Sequence, residues 1–164
     1  MPPTYMTEAA TRASGGVDMK LEVMIIPVSD VDRSKEFYER LGWSLDRDVA
    51  PMEDLRIVQF TPPGSGTSVT FGQGLTKAAP GSAEGELVVS DIEAAYDELV
   101  GRGIEVSDIW HGLPFPVEAR QPGRHPERTS YRSFSCFADP DGTTWLVQEV
   151  TTRLWSAPRP DERR

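Results

Sequence analysis

Two stretches of this chain repeat one pattern of apolar and polar positions. The apolar run ending in Pro27-Val28-Ser29-Asp30 is followed by Val31, Ser34, Phe37, Tyr38 and Leu41, spaced as one face of a helix. Val88-Val89-Ser90-Asp91, 61 residues further on, is followed by Ile92, Ala95, Tyr96, Leu99 and Val100 at the same spacing. Ser29/Asp30 and Ser90/Asp91 suit N-capping, because their side-chain oxygens accept from the first free helical amides. Gly42 and Gly103 fall just past the two helix ends, where a left-handed residue closes the last turn. The pattern predicts helices over about 32–41 and 91–102.

The second halves match as well. Gly66-Thr67-Ser68-Val69-Thr70-Phe71 and Gly142-Thr143-Thr144-Trp145-Leu146-Val147 each follow a Pro/Gly turn, and the runs 56–60 and 133–137 before those turns read as strands. Each half is then a strand, a helix and three strands: a βαβββ unit used twice, with module one over about 19–75 and module two over about 84–150. Eight strands and two helices are expected. Module two also carries an insertion, 109–131, rich in Pro, Gly and Arg and without a period. A structureless loop of that length is commonly a lid or binding loop. The expected core is Met24, Ile26, Val28, Phe37, Tyr38, Leu41, Val89, Ile92, Tyr96, Leu99, Trp145 and Val147.

Composition narrows the field. Residues 1–18 and 156–164 have no period and too little apolar surface to offset ordering entropy, so a disordered N-terminal tail and a flexible C-terminal tail are expected around one domain, 19–155. The 164 residues, 38% hydrophobic and 26% charged, suit one soluble domain. The net charge of −9 repels phosphate backbones, so no nucleic-acid partner is expected. No apolar run approaches the roughly 20 residues needed to cross a bilayer. Residues 1–18 also lack the apolar core and basic flank of a signal peptide, so no membrane partner or export is expected. A single cysteine, Cys136, cannot form an internal disulfide and fits a reducing cytoplasm. Within an apolar strand, it reads as an inert thiol.

Lys20-Leu21-Glu22-Val23-Met24-Ile25-Ile26-Pro27-Val28-Ser29-Asp30, with Ser34-Lys35-Glu36-Phe37-Tyr38-Glu39-Arg40-Leu41-Gly42-Trp43 after it, resembles the opening of the vicinal oxygen chelate superfamily. That group includes glyoxalase I, bleomycin-resistance proteins and extradiol dioxygenases. Phe137-Ala138-Asp139-Pro140-Asp141-Gly142 and the Trp-Leu-Val-Gln strand beyond it are similar to the group's closing signature. The resemblance implies an α+β fold in which two βαβββ modules form curved mixed sheets around a small-molecule cavity, with helices outside and a homodimeric assembly. It also implies four metal-ligand positions, which the repeat offsets carry to Val23, Thr70, Glu84 and Leu146. Valine and leucine have no donor atom, and threonine is a poor ligand for a catalytic divalent ion. No cofactor is therefore expected. A divalent metal is the alternative, with Glu84 its first ligand and Glu86 and Gln148 added if the register shifts by two.

Other polar residues remain for the cavity. Alternation puts Thr144, Leu146 and Gln148 on one face of the last strand, and the same parity gives Ser68 and Thr70, with Gln59 on the strand before. Such a wall suits hydrogen bonding to a ligand more than acid–base work. His111 follows the strand-like 108–110 and is read either as a base or donor at the cavity mouth or as structural, while His125 reads as an exposed loop residue. Arg120, Arg124 and Arg128 on the insertion either steer an anionic ligand or form surface ion pairs. Trp110, Phe115 and Tyr131 offer stacking surfaces. Two functions are consistent with these residues. One is a metal-independent small-molecule binding protein of the bleomycin-resistance type. The other is a superfamily lyase, isomerase or dioxygenase using Glu84, His111 and Gln148.

Overall fold

The structure, a computed structural model, describes residues 17, 19–113 and 116–153. Contacts divide the chain into two units, Leu21–Thr151 and the two ends, Met1–Lys20 with Thr152–Arg164. Every strand and helix among the described residues belongs to Leu21–Thr151. The expected tails and the boundary at 155 lie largely outside the described residues. No described helix is long and apolar enough to cross a membrane.

The first half runs β1 (Val23–Ile25), α1 (Val31–Arg40), β2 (Ser44–Met52), β3 (Leu55–Thr61) and β4 (Ser68–Gln73). The second runs β5 (Glu84–Val89), α2 (Ile92–Gly101), β6 (Trp110–His111), β7 (Gln121–Pro122), β8 (Ser133–Ala138) and β9 (Thr144–Glu149). The sheets have the orders β1-β4-β3-β2 and β5-β9-β8-β6-β7. In each, the first strand pairs in parallel with the last and the others are antiparallel. The expected duplication is present, and neither sheet closes on itself.

The helix signals act as the sequence suggests. Asp30 accepts from the Arg33 amide, and Asp91 from the amides of Glu93 and Ala94, all at 3.0 Å. Those amide hydrogen bonds, together with Arg128, hold the Asp91 carboxyl below the usual carboxylate range. Gly42 and Gly103 have φ of 79° and 77°, a region that only glycine enters without strain. α1 packs on β3 and β4, and α2 on β8 and β9.

Expectation and structure differ in four places. Nine strands are present among the described residues, because part of the insertion forms β7 and extends the second sheet beyond β6. The insertion is therefore not a structureless loop. A 3₁₀ turn, Val117–Ala119, lies within it, and Gly123 N–H donates to Ile109 C=O at 2.8 Å. Met24 is not core but 51% exposed, because β1 is an edge strand and every residue in it is open. Val28, Val89, Tyr96 and Leu99 are half-buried. His125 is also half-buried, and its Nδ1 accepts from the amides of Glu127 and Thr129 at 3.3 and 3.5 Å, which shapes its own turn.

One core spans both modules. Tyr38 from α1 is fully buried, and its hydroxyl donates to Asp139 Oδ2 at 3.0 Å and accepts from Trp145 Nε1 at 3.1 Å. Burial, and then the Asp139 charge, push the Tyr38 hydroxyl far above its usual pKa, so it remains a donor. Asp139 Oδ1 also accepts from the amides of Asp141 and Thr143, which fixes the Asp139-Pro140-Asp141-Gly142 turn. Asp141 in that turn accepts from Ser29 N–H and Oγ and from Arg33. Rings of Trp43, Phe60, Phe71 and Trp145 surround Tyr38, with centroids 5.1 to 6.4 Å away. Replacing Tyr38 with Phe keeps the ring but leaves a buried carboxylate oxygen and an indole N–H unpaired. The expected cost is about 1–3 kcal/mol, read as a lower urea midpoint at unchanged slope.

Candidate functional site

β1 and β5 each have a partner strand on one side only. Between them opens a cleft of about 440 Å³. Its walls are Leu21, Met24, Ile25 and Ile26 from β1 and its flanks, Pro62, Ser65 and 67–69 from the β3–β4 turn and β4, and 83–87 from β5 and the residue before it. Thr143 and Trp145 complete it from the second sheet. Gly85 is required there, since a Cβ at that position would sit 2.3 Å from the Trp145 ring. Among the described residues, Glu84 and Glu86 are the only ionisable side chains in the lining, and both are exposed.

The register shows where each expected site residue lies. Val23 stands opposite Ser68 and Ile25 opposite Thr70; in the second sheet Glu84 stands opposite Thr144 and Glu86 opposite Leu146. Ser68 and Glu84 reach the cleft. Gln59 and Thr70 continue away from it as a polar wall. Thr70 Oγ1 donates to Gln59 Oε1 at 3.5 Å, Gln59 Nε2 to Asp46 Oδ2 at 3.3 Å, and Thr61 Oγ1 to the same oxygen at 2.5 Å. Thr61 and Ser68 hydroxyls meet at 2.7 Å. The wall is knitted together before any ligand arrives.

Trp110, His111, Tyr131 and Gln148 gather elsewhere, toward the far side of the second sheet. Trp110 is buried and stacks on Phe134 at 5.6 Å, and the Arg120 guanidinium lies 4.0 Å over its ring. His111 Nδ1 is 2.8 Å from the Gly123 carbonyl, and Gln148 Nε2 donates to the Tyr131 carbonyl at 3.3 Å. Phe115 lies outside the described residues.

Two of the three arginines named for anion steering hold the insertion to the domain. Arg124 pairs with Glu93 on α2 at 3.1 Å. Arg128 pairs with the fully buried Glu149 at 3.2 Å and donates to the Ser90 carbonyl at 3.1 Å. Glu149 in turn accepts from the Ile92 amide at 2.9 Å, and its hydrogen bond and then its charge raise the Arg128 pKa. None of Arg120, Arg124 and Arg128 lines the cleft.

Four positions are implied for a metal by the family resemblance: Val23, Thr70, Glu84 and Leu146. Val23 and Leu146 supply no donor, and among the described residues no three His, Cys, Asp or Glu side chains are grouped to hold one. Sequence reasoning missed Leu21, Ile25, Pro62 and Thr143 as lining residues. The signal for Ile25 was present in the repeat, because β1 and β5 are equivalent strands that both end up at an edge, whereas Leu21, Pro62 and Thr143 lie outside those strands.

Comparison with known proteins agrees with this architecture. The sequence profile of the Glyoxalase/Bleomycin resistance protein/Dioxygenase superfamily matches residues 20–147, and the chain belongs to that superfamily. Among solved structures it is similar to TnmS3, an antibiotic binding protein from Streptomyces sp. CB03234, at 27% identity and a TM-score of 0.62 over 83% of this chain and 99% of that one. It is similar to a glyoxalase/bleomycin resistance protein from the same organism, at 27% identity and a TM-score of 0.58, over 79% of this chain and 100% of that one. A superfamily member from Sphaerobacter thermophilus DSM 20745 matches at 25% identity and a TM-score of 0.59, over 80% and 98% of the two chains. No curated protein matches at a significant level.

Removing the Arg128 charge should free the insertion from the domain. Arg128→Ala is expected to speed protease cleavage within 112–129 while the far-ultraviolet spectrum stays native. Equal cleavage rates in the two proteins would show that the ion pair does not restrain this segment.

Proposed function

We propose that this protein binds a small organic molecule without transforming it, holds it in the cleft between β1 and β5, needs no metal ion and works as a homodimer. The observation that carries this reading is the cleft. Its volume of about 440 Å³ falls within the range of small-molecule sites. Its walls are mostly apolar, with the hydroxyl residues Ser65, Thr67, Ser68 and Thr143, and among the described residues they hold none of the His, Cys or Lys side chains on which a base or nucleophile would draw. The likeness to TnmS3, an antibiotic binding protein, makes antibiotics the first ligand class to test.

Metal independence is supported by the donor set, since one carboxylate beside Val23, Thr70 and Leu146 does not retain a catalytic ion. Assembly is supported by the apolar side chains left open on the strands. Val49 is 44%, Met52 64% and Val88 46% exposed, and a partner subunit would cover such side chains.

A thermal-shift screen with bleomycin and a panel of aromatic antibiotics should find at least one compound that raises the melting temperature. At a hundredfold excess over Kd the expected gain is about 2.7 kcal/mol. The compound should be recovered chemically unchanged. Recovery of a product, or stabilisation that needs an added divalent ion and disappears in EDTA, would favour the enzyme reading. In EDTA alone the melting curve should not move.

Light scattering at micromolar concentration should give twice the chain mass of 18.2 kDa. A value that stayed at one chain mass would remove the dimer.

A further inference from the structure

We infer that the first sheet recognises a hydrogen-bond donor: a ligand O–H or N–H is accepted by Ser68, and Asp46 is the positioning residue that keeps Ser68 an acceptor. This names the ligand chemistry for the binding-protein reading and rests on that reading. Phe60, Val69 and Phe71 belong to the core, so alternation turns Gln59, Thr61, Ser68 and Thr70 to the opposite face of the same sheet. Opposite Ser68 and Thr70 on β1 stand Val23 and Ile25, 37% and 47% exposed, so this face is open along its β1 edge. Ser68 and Ile25 are the residues at which it borders the cleft.

One carboxylate sets the direction of every hydrogen bond in this row. β2 slips register between Leu45 and Arg47, which stand opposite the adjacent residues Phe60 and Gln59, and the extra residue is Asp46. A bulge of this kind re-aims a side chain. Asp46 Oδ2 accepts from both Gln59 Nε2 and Thr61 Oγ1 on β3. A carboxylate only accepts, so the single proton of the Thr61 hydroxyl is committed to Asp46. The Thr61–Ser68 contact of 2.7 Å must then carry the Ser68 proton, donated to Thr61. Gln59 is oriented by the same carboxylate, which leaves its Oε1 to receive the Thr70 hydroxyl. Both β4 hydroxyls have therefore spent their protons on the sheet and offer a ligand lone pairs alone.

Ser68 is the one of the two that reaches the cleft. At 8% exposure it is nearly withdrawn from water, so a mismatched group set against it loses hydration and gains no partner. A ligand ether or carbonyl there would meet lone pair with lone pair. A carboxylate would also meet Asp46 and a chain charge of −9. A phenol, an alcohol or an amide N–H finds an acceptor already in place, with its apolar body against Ile25.

Three neutral probes on one ring system test this: 2-naphthol, which donates, 2-methoxynaphthalene, which only accepts, and naphthalene, which does neither. Each is measured against the full chain by equilibrium dialysis. 2-Naphthol should bind about tenfold tighter than the other two, which should be close to one another. In Ser68→Ala, 2-naphthol should fall to the naphthalene value while naphthalene itself is unchanged, and Thr61 keeps its bond to Asp46. In Asp46→Asn the carboxamide can donate as well as accept, so the row is free to reverse and Ser68 to donate. The preference for 2-naphthol over 2-methoxynaphthalene should then shrink to about threefold or less. A role for Asp46 in stability alone would lower the melting temperature without moving that ratio. Equal affinity for 2-naphthol and 2-methoxynaphthalene in the parent protein would overturn the inference, as would a tenfold preference that survives in either variant. Both results leave the binding reading intact, because the probes still bind. Absence of binding by all three would overturn the inference as well, while the binding reading is decided separately by the antibiotic screen.

Discussion

The Tyr38 hydroxyl, buried between the Asp139 carboxylate and the Trp145 indole, ties together two modules that otherwise share no strand pairing. It comes from the helix of the first module and reaches the closing turn and last strand of the second. A polar group with no access to water must find partners, and this one can find them only if both halves are folded and in register. Asp139 links it further, because the same side chain organises the turn that lets Asp141 reach Ser29 and Arg33 at the start of α1. One residue position therefore couples the N-terminal strand–helix corner of module one to the hairpin of module two. The aromatic rings packed around it supply the apolar burial that makes the arrangement stable.

The cleft follows from that docking. The strand orders leave β1 and β5 at the edges of their sheets, each without a partner on its outer side among the described residues, and the modules joined through Tyr38 and Trp145 bring both edges to one cleft. Unpaired edges facing an apolar gap are ordinarily filled or blocked. Here they bound a space of small-molecule size instead, with Gly85 keeping its floor clear for the Trp145 ring. The polar wall of Gln59, Thr61, Ser68 and Thr70 is preorganised by Asp46, so a ligand meeting its Ser68 end would cause little rearrangement.

Much of this architecture was legible in the sequence because its signals are local. Asp30 and Asp91 as caps, Gly42 and Gly103 as terminators, and the two Pro/Gly turns act over three or four residues and do not depend on what packs against them. Met24 misled because alternation gives the face of a residue but not its distance from the edge of a sheet, and β1 is only three residues long. The insertion misled for a related reason: β6 and β7 are two residues each and have no period, yet β6 pairs with the edge that β8 presents and β7 pairs with β6. The arginines could be found in the sequence, but their partners Glu93 and Glu149 are 31 and 21 residues away and emerge only from the fold. The cleft itself was least legible, since it is made by the relation between modules and not by any one segment.

Backbone hydrogen exchange in the presence and absence of a compound that raises the melting temperature tests the account most directly. If the ligand occupies the gap between the two open edges, amide protection should rise in 21–26, 65–69 and 83–87 and stay unchanged around Trp110, Phe134 and Gln148. Protection confined to the second sheet around Trp110, with the β1 and β5 amides exchanging as before, would contradict it.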